Sequence, residues 1–543
     1  MSQQAAPGNH PVSDPVTAAG IALRQAARSV PTIESHTGWR PYLGILGVML
    51  GSIMGFLGSR TTSFGLADLR GGLHAGFDEG AWITTSYGVG QMLVGVASPY
   101  LGAVFGPRRV LLHGMIVFFM MSLLSPLTDN LQSFLVMQFV AGIGSGTFIP
   151  LTISCVVRGM PAKLVVFGIA VYAMNSEMSQ NVAASLEGWY SDHLSWHWVY
   201  WQYCVALPVM FVAVALGVPR DEINMGLLKG LDWWGLVYIG CGFAMLYAGL
   251  DQGNRLDWRS SGLVVGLLTG GGMLTAAFLW RELTTDRPFL NMRLLLRGNL
   301  PLLLLMLAGF RFIILSTAYI IPNYLQVVQN FRELQVGQVL LWIALPQFAL
   351  AFPVASLLVL IDDRYVLAIG SALIGIACLM AGQVTSVWAT EDFLPSQVLQ
   401  AVGQSFALTA LVMMVVRSLS PEDALTIGWL FQMSRLFGGE IGTAFMQTFV
   451  RVREQVHSNL IGLHVSGGSA LTTDRLATYA SRMGAHVADP TVASSQASKL
   501  LAANVADQAS VLAYADGFAA AALGAFVCLI LVAAMQKPSP SRF

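Results

Sequence analysis

The sequence predicts an all-α polytopic membrane protein that crosses the bilayer about fourteen times. Of its 543 residues, 55% are hydrophobic and only 11% are charged, whereas soluble domains usually carry about 25% charged residues. The mean hydropathy is +0.63. The apolar residues also group into runs that can cross a membrane, which takes about 20 residues in a helix. A chain of this composition has too little polar surface for a fold exposed to water on all sides.

Short polar connections separate the apolar runs. Because lipid offers no hydrogen-bonding partner to the backbone, each run is expected to form a helix. The predicted spans cover residues 41–64, 80–104, 110–130, 132–157, 163–187, 198–218, 232–250, 261–281, 299–323, 337–360, 366–386, 395–417, 425–450 and 513–536. This order predicts an N-terminal tail at 1–40, six spans within 41–218, two more spans with linkers at 219–298, six spans within 299–536 and a tail at 537–543.

The basic residues predict the orientation of the chain. If the N-terminus is inside, the inner connections hold far more Arg and Lys than the short outer connections. Such a bias marks the cytoplasmic side of a membrane protein. Both termini are therefore expected in the cytoplasm, which agrees with an even number of spans. The expected location is the inner membrane of a bacterium.

The connection at 451–512 is much longer than the others and is predicted to face outward. It is rich in Ala, Ser, Thr and Gly. Connections of this length are uncommon unless they are functional or disordered. Two interpretations stay open, a tolerated and partly helical insertion or a docking surface for a partner outside the cytoplasm.

Several classes of function are disfavoured by the sequence. It contains no H-E-x-x-H, no G-x-S-x-G and no glycine-rich phosphate loop followed by Lys, so an enzyme is not expected. With 29 basic and 29 acidic residues, no charge balance favours nucleic acid. No cofactor and no metal site are expected either. The cysteines lie in apolar runs without metal-ligand spacing and are interpreted as packing residues: Cys155, Cys204, Cys241, Cys378 and Cys528.

Polar residues inside the fifth predicted span indicate a cavity. A charge in the middle of a bilayer costs at least a few kcal/mol, so it usually faces a partner or water. Glu177 lies near the centre of this span, and Gln180 and Asn181 follow at i+3 and i+4. Residues at this spacing share one face of a helix. We interpret this face as the wall of a polar cavity.

Other ionisable residues lie within predicted spans. Arg311 interrupts an otherwise apolar stretch, and Arg435 and Glu440 both belong to the thirteenth span, about 140° apart around the helix. These two are therefore expected to face different neighbours. One interpretation of the whole set is ion pairs that lock helices together. The other is contact with substrate or a proton relay, for which Glu177, Glu440 and Glu187 are the candidate carboxyl groups.

Short segments distributed along the chain carry a resemblance to a known family. They are Trp82–Gly88 in the second span, Gly142 with Phe148–Leu151 in the fourth, Ser191-Asp192 with Trp196 and Trp198 after the fifth, Asp251-Gln252-Gly253 with Asp257-Trp258 in an outer turn, and Arg435 with Gly439–Gly442 in the thirteenth. In order and spacing, from about residue 41 to 536, the chain resembles the fourteen-helix drug:proton antiporters of the major facilitator superfamily, EmrB/QacA type. The resemblance implies two six-helix bundles with two additional helices between them.

The chain departs from this family where the family couples transport to protons. Gly58 stands where the first helix usually carries Asp, with Arg60 nearby. Gln138 replaces the usual Arg of the fourth helix. Ala183 and Ala184 stand in the usual G-P-x-x-G-G signature of the fifth helix. The loop after the second helix retains the conformational residues Gly106, Arg108 and Arg109. The coupling has either moved to other charges or has different energetics.

The resemblance implies an inner-membrane secondary transporter that exports amphipathic or aromatic small molecules in exchange for protons. The residues assigned to the substrate or proton pathway are Glu177, Gln180, Asn181, Arg311, Arg435, Glu440, Glu187 and Arg60. Gram-negative members of the family commonly work with a periplasmic adaptor and an outer-membrane channel. Two alternatives remain, an uptake symporter for an organic anion or metabolite and a scaffold or receptor that transports nothing.

Overall fold

A computed structural model describes residues 39–226, 232–285, 298–418, 424–466, 468–484 and 489–536. All regular secondary structure within these ranges is helical, so the all-α prediction is confirmed there. The predicted tail at 537–543 and nearly all of the tail at 1–40 lie outside the described residues.

Fourteen long helices occur in the described ranges, and we number them α1 to α14. Twelve are long and apolar enough to cross a membrane. The other two, α5 and α13, contain 32 and 39 residues, and they carry four of the ionisable residues predicted for the site, Glu177, Glu187, Arg435 and Glu440. The number of fourteen spans therefore stays a prediction. The helices are Arg40–Phe64, Phe77–Phe105, Pro107–Leu127, Leu131–Gly159, Ala162–His193, Trp198–Gly217, Trp233–Gly253, Gly262–Thr284, Leu300–Val327, Glu333–Leu360, Asp363–Ala381, Glu391–Ser418, Ala424–Gly462 and Pro490–Ala533.

The helices form two bundles with one helix pair beside them. In the first bundle, α1 packs against α4, α5 and α6, and α2 packs against α4. In the second, α11 packs against α12 and α14, and α13 packs against α9 and α14. The bundles meet where α5 lies along α10 and where α2 lies along α13. The additional helix α7 contacts both α2 and α13, so it covers one of these two seams, and α8 packs on α7.

Glycines allow α5 and α10 to approach closely near the ends that the sequence predicts to face outward, which we call their outer ends. A side chain at Gly188 would collide with the backbone of Leu334, and a side chain at Gly337 would collide with Ser185. Small residues at such crossings bring two helix backbones together. The outer part of the seam between the bundles is therefore closed in this structure.

The segment predicted as a long outer connection is largely helical. The helix α13 continues to Gly462, a shorter helix covers Ala470–Gly484, and α14 begins at Pro490. The shorter helix packs on α14. Asp516 of α14 accepts hydrogen bonds from Arg453 at 2.6 Å and from His457 at 2.7 Å, which fastens α13 to α14 at this level. We call the part of this helical assembly within 451–512 the outer extension.

Candidate functional site

An ion pair between α5 and α9, which we call the central pair, joins the two bundles. The guanidinium of Arg311 on α9 donates to the Glu177 carboxylate on α5 at 2.9 Å and to the Gln180 side-chain oxygen at 3.2 Å. The side chains of Arg311 and Glu177 are only 11% and 3% exposed. The sequence predicted all three as site residues, and the structure brings them together. Because the pair connects the bundles, any relative movement of the bundles must strain or break it.

Arg60 and Arg435 complete a group of three arginines around this pair. Arg60 donates to the backbone oxygen of Ala318 at 2.6 Å. The Arg435 guanidinium lies over the Phe56 ring, 4.9 Å from its centroid. Both cations are close enough to Arg311 to interact with it electrostatically. We call Arg60, Arg311 and Arg435 the arginine cluster.

The partner of Arg60 belongs to an unusual part of α9. Residues Ser316–Ile320 form a π-helical turn. Such turns break the regular i to i−4 hydrogen bonds of an α-helix and are frequent at functional sites. Here the turn presents the Ala318 oxygen to Arg60 of the opposite bundle. A second link between the bundles therefore lies about two helical turns from Arg311 along α9.

Asn181 points away from the central pair and begins a chain of amides. It donates to Gln347 of α10 at 3.3 Å, and Gln347 donates to Gln404 of α12 at 2.9 Å. Gln404 donates in turn to Thr317 at 3.2 Å and to Gln400 at 3.4 Å. Sequence reasoning missed these glutamines because it assigned neutral amides to the site only where they share a helix face with an ionisable residue, as Gln180 and Asn181 do with Glu177. The signal that could have found them is neutral amides inside otherwise apolar spans.

Glu440 faces a different neighbour from Arg435, as the helical spacing predicted. Arg435 points to Phe56 of α1, whereas the Glu440 carboxyl interacts with the Tyr247 hydroxyl of α7. Glu440 is 9% exposed, and its Oε1 atom has no hydrogen-bonding partner in the described residues. Glu440 therefore lies in a buried site beside α7, apart from the arginine cluster.

Glu187 lies at the outer end of α5, away from the central pair. It is fully buried beside Gly65 at the end of α1, and it accepts a hydrogen bond from Ser191 at 2.8 Å. Its second oxygen has no partner in the described part of the chain. The nearby carboxyl groups of Asp68 and Glu333 have the same charge sign. Glu187 therefore belongs to the closed outer seam and not to the arginine cluster.

The predicted outer turn ties α7 to both bundles. Thr85 of α2 donates a hydrogen bond to Asp251. Asp257 forms an ion pair with Arg451 at 3.4 Å, and Trp258 donates to Thr448 of α13 at 3.0 Å. The turn needs left-handed backbone angles at Asp257 (φ 56°) and Trp258 (φ 45°).

Gly253 completes this turn by leaving room for an aromatic ring. A side chain at this position would collide with the Trp258 ring. The turn thus holds α7 against α2 and α13, and it lies apart from the central pair.

The conformational loop at Gly106 connects helix ends of the first bundle that are predicted to face the cytoplasm. Gly106 has φ +84°, which favours glycine. Arg109 donates to the backbone oxygen of Asp221 at 2.7 Å, and Arg108 donates to the backbone oxygen of Ala215. Burial raises the pKa of the Asp221 carboxyl, while the nearby Arg158 and Arg109 act in the opposite direction. These contacts hold the start of α3 against the end of α6.

The structure also accounts for the departures at the usual coupling positions. A side chain at Gly58 would collide with the Tyr87 hydroxyl, so the space of the usual Asp is occupied by Tyr87. Gln138 is buried, and its Nε2 atom has no partner in the described residues. Ala183 and Ala184 are fully buried packing residues. No group at position 58, 183 or 184 can exchange a proton.

The described residues contain no group of three or more His, Cys, Asp or Glu side chains that could hold a metal ion. The arrangement consists of an ion pair between the two bundles, a cluster of cations and separate buried carboxyl groups. Such an arrangement offers cations and polar side chains to a ligand.

Comparisons with known proteins agree on one family. The model of the Major Facilitator Superfamily matches residues 48–443. "Multidrug export protein EmrB" of Haemophilus influenzae is 24% identical over 527 residues, which cover 95% of this chain and 99% of the relative. "Colistin resistance protein EmrB" of Acinetobacter baumannii is 23% identical over 450 residues, 81% of this chain and 86% of the relative.

Solved structures share the fold at low sequence identity. One of them is the crystal structure of a POT family transporter in complex with a thioalcohol-conjugated peptide. The structural alignment covers 94% of this chain and 100% of the POT transporter chain, with a TM-score of 0.59 and 14% identity. The proton:xylose symporter XylE covers 89% of this chain and 94% of that chain, with a TM-score of 0.51 and 12% identity.

Proposed function

The chain belongs to the Major Facilitator Superfamily, and from this premise we propose that it exports amphipathic or aromatic small molecules in exchange for protons. It is an integral, multi-pass membrane transporter and not an enzyme. The multidrug export proteins among its relatives support the direction and the broad substrate range. The proposed location is the inner membrane of a bacterium.

One observation carries this proposal, the Arg311–Glu177 pair between the bundles at 2.9 Å. Secondary transporters bind substrate near the middle of the bilayer and expose the site alternately by rocking one bundle against the other. A substrate that displaces part of this pair changes the contact between the bundles and thereby favours their movement. Gln180 and the amides that begin at Asn181 and Gln347 would supply further polar contacts.

We assign the exchangeable proton to Glu440. The Glu177 carboxylate is already paired with the Arg311 guanidinium at 2.9 Å. Glu440 interacts with the Tyr247 hydroxyl, and its Oε1 atom is buried without a partner in the described residues. It lies on α13 next to the seam with α2, so its surroundings change when the bundles rock. Glu187, at the closed outer seam, is the second candidate.

Transport in inverted membrane vesicles tests the proposal. With an imposed pH gradient, acid inside, addition of ethidium or N-phenyl-1-naphthylamine should release protons from the lumen and collapse the gradient in vesicles that contain the protein. Vesicles without the protein are the control. Absence of proton flux with any compound of a broad panel of amphipathic compounds would contradict the antiporter.

The same assay separates the alternatives. An uptake symporter for an organic anion would instead carry protons together with its substrate into right-side-out vesicles. The three guanidiniums near one carboxylate are the observation that favours this second function. A scaffold that transports nothing would give no flux in either orientation.

The outer extension is the proposed docking surface for a periplasmic adaptor that leads to an outer-membrane channel. It consists of helices that rise beyond the predicted spans and are held together by Arg453, His457 and Asp516. This placement requires both termini in the cytoplasm. The full-length relative from Haemophilus influenzae is a multidrug export protein, which supports export as such.

A cysteine at the exposed position Thr473 tests this orientation. We expect a membrane-impermeant maleimide to label it in intact spheroplasts, and a cysteine at Ser418 to stay unlabelled until the membrane is opened. Deletion of residues 466–488 should then abolish co-purification of the adaptor while proton flux in vesicles persists. Labelling of the cysteine at position 418 alone would show that the topology is the reverse of the proposed one. Adaptor binding that survives the deletion would place the docking surface elsewhere.

A further inference from the structure

We propose that the arginine cluster is a binding site for the acid group of an amphipathic organic anion. This inference rests on the proposed function, because it names the substrate class of the same central site. The ligand would present a carboxylate or sulfonate to Arg60, Arg311 and Arg435, and its apolar body would lie against neighbouring aromatic side chains.

The charges of the site are unbalanced. Arg311 is bonded to Glu177, and Arg60 is bonded to the Ala318 oxygen on the same helix as Arg311. Arg435 lies over the ring of Phe56, about one turn before Arg60 on α1. Within the described residues, the carboxylate in contact with this cluster is Glu177. The Glu440 carboxyl interacts instead with Tyr247 and Asp251 on the side of α7. Uncompensated cations in the middle of a membrane are costly, and they usually face an anion or a water-filled cavity. An anionic ligand would relieve this cost.

The guanidiniums also retain free hydrogen-bond donors. Arg60 uses one nitrogen for the Ala318 oxygen, and its Nε atom is buried without a partner in the described chain. The Nε atom of Arg311 is likewise buried and unpartnered there. Arg435 makes only long contacts of 3.4 Å to Gln432. Because a guanidinium carries more N–H donors than these contacts use, the cluster can accept the oxygens of an acid group.

Aromatic rings hold two of these cations in place. Arg60 lies over Phe64 at 5.4 Å from the ring centroid, and Arg435 lies over Phe56 at 4.9 Å. Stacking occupies the face of a guanidinium and leaves the donors at its edge available. Tyr172 packs near Phe56, with 6.3 Å between the ring centroids. These rings offer an apolar surface beside the cations, which suits a ligand with an aromatic body and one acid group.

Glu177 acts in this arrangement as an internal competitor of the ligand. Its carboxylate occupies Arg311, so its replacement by a neutral amide should leave Arg311 free for the anion. The prediction for Glu177→Gln is therefore tighter binding of an anion. A pair with a merely structural role gives no such gain, since loss of either partner then only damages the site.

The experiment compares two fluorescent probes that differ mainly in an acid group. 1-Anilinonaphthalene-8-sulfonate carries a sulfonate on the ring system, and N-phenyl-1-naphthylamine lacks it. Binding of both is measured by equilibrium dialysis on the full-length protein in lipid nanodiscs, with empty nanodiscs as the blank. The variants are Arg60→Gln, Arg435→Gln, Glu177→Gln and the double variant Glu177→Gln/Arg311→Gln. Arg332→Gln, whose side chain is 80% exposed at the start of α10, is the matched control.

We expect the wild type to prefer the sulfonate. Loss of Arg60 or Arg435 should weaken sulfonate binding about tenfold each, because each removes a charge-assisted hydrogen bond. Glu177→Gln should tighten it, the double variant should weaken it relative to Glu177→Gln, and Arg332→Gln should change nothing. Binding of the neutral probe should stay the same in all variants.

Equal binding of both probes, or sulfonate binding unchanged in Arg60→Gln and Arg435→Gln, would overturn the inference. Weaker sulfonate binding in Glu177→Gln would overturn it as well, and this result does not depend on whether an arginine variant folds. If ethidium is exported in vesicles while the sulfonate shows no preference, the proposed export stands and the anion site fails. If the sulfonate binds as expected but no proton flux occurs, the anion site stands and the proposed export fails.

Discussion

Replacement of Arg311 by glutamine alone should abolish transport and lower the free energy of unfolding by about 3–5 kcal/mol. The variant leaves the Glu177 carboxylate, whose side chain is 3% exposed, without its cation. An unpaired buried charge is strongly destabilising, whereas removal of both charges of a buried pair is often nearly neutral. The double variant Glu177→Gln/Arg311→Gln should therefore regain most of the lost stability.

Thermal unfolding in nanodiscs measures the stability part of this prediction, and flux in inverted vesicles measures transport. Arg332→Gln serves as the control, because it also removes an arginine but at an exposed position. The double variant is expected to stay inactive in transport despite its stability, since the charged contact between α5 and α9 is absent. A double variant that is stable and fully active would show that the pair only locks the helices together.

Replacement of Glu440 by glutamine should eliminate substrate-dependent proton flux while substrate binding remains within about twofold of the wild type. Glutamine resembles the neutral form of the carboxyl in shape, but it cannot release a proton. Glu440 lies away from the arginine cluster, beside Tyr247 of α7. The substitution should therefore block exchange of the proton without removing a ligand contact.

Two measurements check the role of Glu440. Proton flux in inverted vesicles should fall to the level of vesicles without the protein, and counterflow of a labelled substrate, which needs no net proton movement, should persist. Glu454→Gln is the matched control, since it is the same substitution further out on α13. If proton flux persists in Glu440→Gln and is lost in Glu187→Gln, the exchangeable proton is to be assigned to Glu187 at the outer seam.

The sequence allowed part of the site to be predicted. Residues three or four apart share one broad face of a helix, so the spacing of Glu177, Gln180 and Asn181 was enough to group them on one side of α5. In the structure, the residues of this face contact different helices. Gln180 meets Arg311 on α9, whereas Asn181 meets Gln347 on α10. The two positions differ by about 100° around the helix, which is enough to direct adjacent side chains to different neighbours.

Other parts of the site could not be predicted from the sequence. Arg311 clearly needed an anion or a carbonyl, but nothing local identified Glu177, 134 residues earlier, as its partner. The sequence grouped Glu187 and Glu440 with the same pathway. In the structure Glu187 lies at the outer end of α5, and Glu440 turns toward α7. The glutamines at 347, 400 and 404 became relevant only through their contacts.

The sequence by itself determined the class of the protein, the approximate positions of its spans and the charges that need an explanation. These properties are local, because a run of apolar residues must form a helix in lipid whatever its neighbours are. Only the tertiary structure decided which charges meet. Which charged side chains contact each other depends on how each helix is rotated about its axis and where it crosses another helix. Both follow from packing among residues far apart in the chain. With the same spans, the charges could have formed separate ion pairs between helices. The packing instead places three arginines and Glu177 together between the two bundles.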